Sequence, residues 1–184
     1  MNSVVGTELN VLQRTVLDPF HSIAAYPVKG RPTIVLLIVH NDHVLFVRAA
    51  NGCTWMLPQG GIEHHDGTLL GAAIREGFEE LGLKEQYMLR FNQTVLGECV
   101  NPIASERCVE YVNKHLFFIL LPVKNHHWVT LNYENIEYAW VSSYGQLLSM
   151  RSALQKVMTV KFQATCEAID EVFRRGLLSW SCTQ

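Results

Sequence analysis

Short, strongly apolar segments alternate with polar turns along the chain, a pattern that predicts strands joined by tight connections. Residues 33–39 form a β-branched apolar run that is typical of a buried strand. The turn at 40–42 and the apolar segment 43–48 predict that the chain returns as a second strand. Residues 55–57 predict a short strand, followed by a tight turn over 58–61 that contains two glycines.

The rest of the chain mixes strand and helix patterns. Residues 115–121 are apolar enough to be buried on both faces, and helical periodicity predicts a C-terminal helix over 149–178. This mixture, at a length that suits one domain, predicts an α/β (α+β) fold over residues 1–184, with an N-terminal extension at 1–31. The further strands are predicted at 89–99, 109–123 and 138–141.

A predicted helix over about 68–81 carries the most distinctive chemistry. At 100° per residue, Glu76, Glu79 and Glu80 share one arc about 100° wide. Such close like charges repel one another, so the helix is expected to present this side to a cation. Magnesium is a candidate because it prefers oxygen ligands. The opposite side carries the apolar residues Leu70, Ile74, Phe78 and Leu81.

Composition and charge exclude several classes of function. The formal net charge of −2 provides no basic field for general nucleic-acid binding. The longest clean apolar run, 34–39, is too short to span a bilayer, and the first residues lack the pattern of a secretory signal. Five cysteines without a CxxC pair predict free thiols and a cytoplasmic location.

The acidic helix and its flanks carry a family resemblance. They match Gly-x5-Glu-x7-Arg-Glu-U-x-Glu-Glu-x-Gly-U, the Nudix box, where U is aliphatic. The chain therefore resembles the Nudix hydrolases, which implies a mixed β-sheet sandwiched between helices and hydrolysis of a pyrophosphate bond in a nucleoside diphosphate linked to another group. The resemblance also implies that the three glutamates bind Mg²⁺ or Mn²⁺, and that one of them, or a metal, activates the attacking water. The matching residues are Gly61, Arg75, Glu76, Glu79, Glu80, Gly82 and Leu83.

Two positions depart from the box. Gly67 stands where the family has a glutamate, with Asp66 as a candidate substitute one residue earlier, and Gly77 stands where the family has an aliphatic residue. A glycine inside a helix costs about 1 kcal/mol relative to alanine. These departures leave an alternative open: a weakened Nudix domain that binds a nucleotide, or regulates a partner, without turnover. The retained cluster of repelling carboxylates favours the enzyme.

The flanking segments narrow the resemblance. Residues 44–48 and 51–62 resemble the entry to the box in diadenosine-polyphosphate hydrolases and bacterial RNA 5′-pyrophosphohydrolases. Residues 134–141 resemble their Glu-x5-Trp-Val segment, which implies that Glu134 is an additional metal-binding or catalytic carboxylate, with Glu137 as second choice. The implied substrates are dinucleoside polyphosphates, 5′-triphosphorylated RNA ends or nucleotides.

Several other residues are candidates for substrate contact. Arg75 is expected to pair with a neighbouring carboxylate or a substrate oxygen. Arg48 and Lys114 are candidate phosphate ligands, although Arg48 at a strand end is equally typical of a solvated surface residue. Tyr138 is a candidate for stacking on a base. The turn residues Gln59, Gly60 and Gly61 complete the candidate substrate-binding set.

Overall fold

The longest β-branched run of the sequence lies at the centre of the sheet, as its apolar pattern predicts. In the computed structural model, residues 33–39 are buried, and so are residues 115–121 of a parallel neighbouring strand. Burial on both faces explains why neither segment alternates with polar residues. The structure describes residues 11–13, 17–50, 55–89, 93–102, 113–151 and 159–180.

Within these residues, seven strands form one mixed sheet. Five of them follow the order β3-β2-β1-β6-β5, while β4 pairs with β1 and β7 pairs with β2. Strands β1 and β6 are parallel, and the other pairs are antiparallel. The strands are β1 (Arg31–His40), β2 (His43–Ala49), β3 (Trp55–Met56), β4 (Gln59–Gly61), β5 (Thr94–Pro102), β6 (Asn113–Pro122) and β7 (Asn135–Val141).

Helices cover both faces of the sheet. One apolar core lies between the sheet and α1 (Leu69–Leu81), and the other lies between the sheet and α2 (Tyr144–Arg151) and α3 (Thr159–Arg174). The predicted sandwich is therefore confirmed. Among the described residues, no helix is both long and apolar enough to cross a membrane.

Some sequence predictions fall where the structure is not described. The predicted C-terminal helix corresponds to the end of α2 and to α3, and residues 152–158 between them lie outside the described part. So do residues 51–54 of the quoted family entry and three of the five cysteines, Cys53, Cys108 and Cys182. The remaining two, Cys99 and Cys166, are free thiols.

Helix α1 begins and ends where its sequence predicts. The Thr68 hydroxyl accepts a hydrogen bond from the Gly71 N–H at 3.0 Å, and Gly82 ends the helix in the left-handed region at φ 69°. The predicted division into an acidic front and an apolar back is observed only in part: Leu81 is buried, and Leu70 and Ile74 pack against the core, but three residues depart from it. Glu76 and Glu80 are only 7% and 8% exposed, whereas Phe78 is 56% exposed.

The burial of Glu76 and Glu80 has a tertiary cause. The side of α1 that packs on the sheet also carries the small residues Ala72, Ala73 and Gly77, which let the helix approach closely. A Cβ at Gly77 would lie 3.0 Å from a methyl carbon of Leu83. The glycine in place of an aliphatic residue therefore fits the packing beneath it.

The segment before β1 supports the start of α1. The Leu69 N–H donates to the His21 carbonyl at 3.2 Å, and the Leu70 N–H donates to the Pro19 carbonyl at 2.7 Å. The first amides of a helix have no partner within it, so these carbonyls satisfy two of them. Part of the predicted N-terminal extension thus holds the acidic helix.

A lysine on α3 is buried in the core. Lys161 is 5% exposed, and its ammonium lies 3.8 Å from the Met56 sulfur. Within the described part of the chain it forms no ion pair. Burial, together with repulsion from Lys114, lowers the pKa of Lys161 to about 7 in spite of attraction from Glu80 and Cys99.

Candidate active site

An open cleft of about 640 Å³ lies beside the acidic helix, a volume that suits a small-molecule ligand. Strands β1, β4 and β6 contribute to its walls, together with α1 and the segment before β7. All four predicted metal-binding carboxylates line it: Glu76, Glu79, Glu80 and Glu134. Residues 58 positions apart in the sequence thus meet in one cleft.

Glycine at position 60 allows α1 to lie so close to β4. A Cβ there would lie 1.9 Å from the carboxyl carbon of Glu76, so any side chain would displace this carboxylate. The neighbouring Gln59 N–H donates to the Glu80 carboxylate at 3.3 Å. The tight turn predicted before the helix therefore positions two of its glutamates.

Arg75 holds the loop, the turn and the helix together. Its Nε and Nη2 donate to both oxygens of Asp66 at 2.7 and 3.0 Å, and Nη2 also donates to the Gly61 carbonyl at 2.7 Å. Its Nη1 donates to Glu76 at 2.8 Å and to Glu79 at 3.0 Å. These bonds use the five N–H groups of the guanidinium. Of the two partners predicted for Arg75, the neighbouring carboxylates are the ones it contacts.

Asp66 binds Arg75 directly beside position 67, where the family resemblance predicts a glutamate and this chain has a glycine. Besides Arg75, it accepts a hydrogen bond from the Glu63 N–H at 2.7 Å. Burial opposes its ionisation, but the bonds from Arg75 and Glu63 outweigh this, so the pKa of Asp66 lies below its ordinary value. Gly67 itself has φ 70°, which favours glycine. The departure from the box is thus compensated by the adjacent residue.

Glu80 has the carboxylate whose ionisation is most strongly opposed among the described residues. Burial, followed by repulsion from Glu76, raises its pKa to about 7, with a further contribution from Glu134. Burial also raises the pKa of Glu76, although Arg75 opposes this effect. A cation bound among these groups would offset both the cost of burying the negative charges and the repulsion between them.

The donor set fits a divalent metal in its chemistry. Carboxylate oxygens are what Mg²⁺ prefers. The side-chain oxygen of Gln59, in the same cleft, is buried and has no hydrogen-bond partner within the described residues. As the side chains stand, no group of three described His, Cys, Asp or Glu residues converges on an ion position. Glu76 and Glu79 each use one carboxylate oxygen for Arg75, and the second oxygen of each would serve a metal while the contacts with Arg75 are kept.

The predicted substrate residues divide into two groups. Gln59, Gly60, Gly61 and Lys114 line the cleft. Arg48 and Tyr138 are not among its lining residues: both lie where β2 pairs with β7, and Arg48 forms an ion pair with Glu137. Glu137, the second choice for the additional carboxylate, is the partner in this ion pair and does not line the cleft.

Arg31 and Tyr133 are among the lining residues that the sequence reasoning did not propose. Arg31 lies directly beside Lys114 in the register of β1 and β6. Tyr133, 86% exposed, precedes Glu134 at the cleft. Its adjacency to a candidate carboxylate is a sequence signal that could have identified it, whereas Arg31 becomes apparent only once β1 is paired with β6.

The chain was compared with known proteins. The NUDIX domain sequence model matches residues 30–153. No curated protein sequence matches the chain at a significant level.

Solved structures share the fold at low sequence identity. An Ap4A hydrolase of C. elegans, in a binary complex, is 16% identical with a TM-score of 0.55, over 79% of this chain and 98% of that one. A NUDIX hydrolase from Nitrosomonas europaea is 19% identical with a TM-score of 0.59, over 82% and 92%. A bifunctional NMN adenylyltransferase/ADP ribose pyrophosphatase from Francisella tularensis, complexed with AMP and a Mn ion, is 22% identical with a TM-score of 0.56, over 81% and 44%.

Proposed function

The chain belongs to the NUDIX family of pyrophosphohydrolases, and from that premise we propose that it uses a divalent metal to hydrolyse a pyrophosphate bond in a nucleoside diphosphate linked to another group. The observation that carries the proposal is the buried carboxylate of Glu80, whose charge Glu76 and Glu134 repel inside the cleft. Candidate substrates are dinucleoside polyphosphates, 5′-triphosphorylated RNA ends and nucleotides.

The metal would be Mg²⁺ or Mn²⁺, held by Glu76, Glu79, Glu80 and Glu134. When bound, such an ion supplies a positive charge that stabilises phosphate oxygens and lowers the pKa of a bound water. The solved relative from Francisella tularensis carries a Mn ion, which supports this choice. Gln59 would accept a hydrogen bond from a water or substrate group with its buried oxygen.

Each of the remaining residues has a defined task in this proposal. Arg75 orients Glu76 and Glu79 and makes no substrate contact, because its N–H groups are already used within the protein. Glu80 or Glu134 accepts the proton that the attacking water loses. Lys114 binds a substrate phosphate.

We assign base stacking to Tyr133 instead of Tyr138, because the exposed ring of Tyr133 lines the cleft. Tyr133→Leu should raise KM for a nucleotide substrate with little change in kcat, since the lost contact is to the base and not to the reacting phosphates. Tyr138→Leu, measured alongside, should leave KM unchanged. A rise in KM for Tyr138→Leu alone would reverse the assignment.

The hydrolase proposal is tested by incubating the protein with diadenosine tetraphosphate, 5′-triphosphorylated RNA and a nucleotide panel, with and without Mg²⁺ or Mn²⁺. Metal-dependent release of phosphate or nucleotide is expected. Glu80→Gln should lower kcat by at least about 100-fold, on the scale of losing one strong catalytic interaction. The matched control, Glu85→Gln, changes an exposed glutamate outside the cleft and should retain activity.

The alternative is a NUDIX domain that binds nucleotides without turning them over. Failure on every substrate, with nucleotide binding retained, would favour it. The contacts of Asp66 and the packing at Gly77 support the enzyme, because both departures from the box leave the glutamates held.

A further inference from the structure

The cleft has a basic wall as well as an acidic one. Arg31 and Lys114 are Cα partners on the parallel strands β1 and β6, and both line the cleft. Neighbouring strands lie about 4.8 Å apart. This spacing separates the two backbones, and both side chains line the same cleft, where cations suit an anionic group such as a phosphate.

Arg31 lies against a rigid part of the cleft. One of its guanidinium nitrogens is 3.1 Å from the position that a Cβ of Gly61 would occupy, so the glycine provides the space for this contact. The Gly61 carbonyl is in turn bound by Arg75 at 2.7 Å. The planar guanidinium is thus set on the same turn that holds the acidic helix, which fixes its place relative to the glutamates.

The other arginine of the cleft is not available to a ligand. Arg75 directs its N–H groups to Asp66, Glu76, Glu79 and the Gly61 carbonyl. Substrate charge that lies away from the carboxylates must therefore be met by the wall formed by Arg31 and Lys114.

We infer that Arg31, beside Lys114, binds a phosphate beyond the scissile pyrophosphate, so that the protein prefers substrates with three or more phosphates to diphosphates whose second group is an uncharged sugar. This inference rests on the proposed function, because it takes the carboxylates as the place where the scissile pyrophosphate lies. It makes Arg31 a determinant of specificity at the same site.

The test measures binding, so that it does not depend on turnover. Calorimetry in Mg²⁺ compares the α,β;β,γ-bismethylene analogue of ATP with α,β-methylene-ADP, two analogues in which no phosphoanhydride bond remains to be hydrolysed. The wild-type protein should bind the triphosphate analogue more tightly than the diphosphate analogue. Arg31→Gln should weaken binding of the triphosphate analogue by about tenfold, as expected for a lost charge-assisted hydrogen bond, and should change binding of the diphosphate analogue little. Arg174→Gln, an exposed arginine on α3, is the control and should retain the preference.

Equal weakening of both analogues by Arg31→Gln, or no weakening of either, would overturn the inference. Thermal denaturation of each variant shows whether it is folded, and Arg31→Lys provides a second variant that keeps the charge but lacks the planar fork. It should recover part of the preference. If no substrate in the panel is hydrolysed but the triphosphate preference depends on Arg31, the hydrolase proposal fails, and what stands of this inference is that Arg31 binds the third phosphate of a nucleotide.

Discussion

Because Lys161 is buried, we expect the free energy of unfolding to depend on pH through its ammonium group. Its folded-state pKa of about 7 lies below the value of 10.5 expected for an exposed lysine. Between these two values the unfolded chain binds more protons than the folded protein, so stability rises with pH. The destabilisation is therefore greatest well below pH 7, where the ammonium is charged in both the folded and the unfolded state.

The expected size follows from this difference. A pKa difference is worth about 1.4 kcal/mol per unit, so raising the pH from 7 to 9 should increase the contribution of Lys161 to the free energy of unfolding by roughly 2 kcal/mol. Lys161→Met replaces the ammonium with an apolar chain beside the Met56 sulfur. The variant should be more stable than the wild type at pH 7, and its advantage should shrink by about this amount at pH 9.

Urea denaturation at several pH values between 7 and 9 measures the effect as the difference between the two proteins. Other shifted groups, such as Cys99, whose pKa burial raises to about 12, are present in both proteins and largely cancel. Lys84→Met, at an exposed lysine, is the control and should follow the wild type in its pH dependence. If the curves of wild type and Lys161→Met run parallel, the ammonium is not buried in the folded protein.

Three further changes test how the cleft is held. Gly60→Ala should abolish most activity, because its Cβ would overlap the Glu76 carboxylate; steady-state kinetics checks this, and full activity would show that the helix can shift away. Asp66→Ala should lower the free energy of unfolding by about 2–4 kcal/mol in urea denaturation, since it leaves Arg75 with two unpaired N–H groups; a loss below about 0.5 kcal/mol would contradict the role given to this pair. Gly67→Glu, which restores the family residue, should destabilise the protein by about 1–2 kcal/mol because φ is 70° there; a more stable variant would refute the strain argument.

The sequence predicted those parts of the fold and the cleft that depend on local patterns. The buried strand at 33–39, the caps Thr68 and Gly82, and the carboxylate spacing of the helix all follow from propensity or periodicity over a few residues. Asp66 could be proposed as a substitute because it lies next to the position it serves.

The parts that were not predicted depend on contacts between distant segments. Amphipathic periodicity alone predicts that Phe78 is buried and that Glu80 faces outward towards a cation, yet the contacts with the sheet determine which side of the helix is buried. Arg31 enters the cleft only through the parallel pairing of β1 with β6, whose register no local pattern encodes. Arg48 was proposed from its position at a strand end, but its ion pair with Glu137 depends on the pairing of β7 with β2.

The hydrogen bonds at the start of α1 show that the folded unit extends further towards the N-terminus than the family match does. The match begins at residue 30. The carbonyls that accept hydrogen bonds from the Leu69 and Leu70 amides belong to His21 and Pro19, respectively. A chain that began at residue 30 would keep every residue of the family match. It would lose these two carbonyls and so expose two amides at the start of its acidic helix. The segment that defines membership of the family is thus shorter than the segment needed to hold its helix.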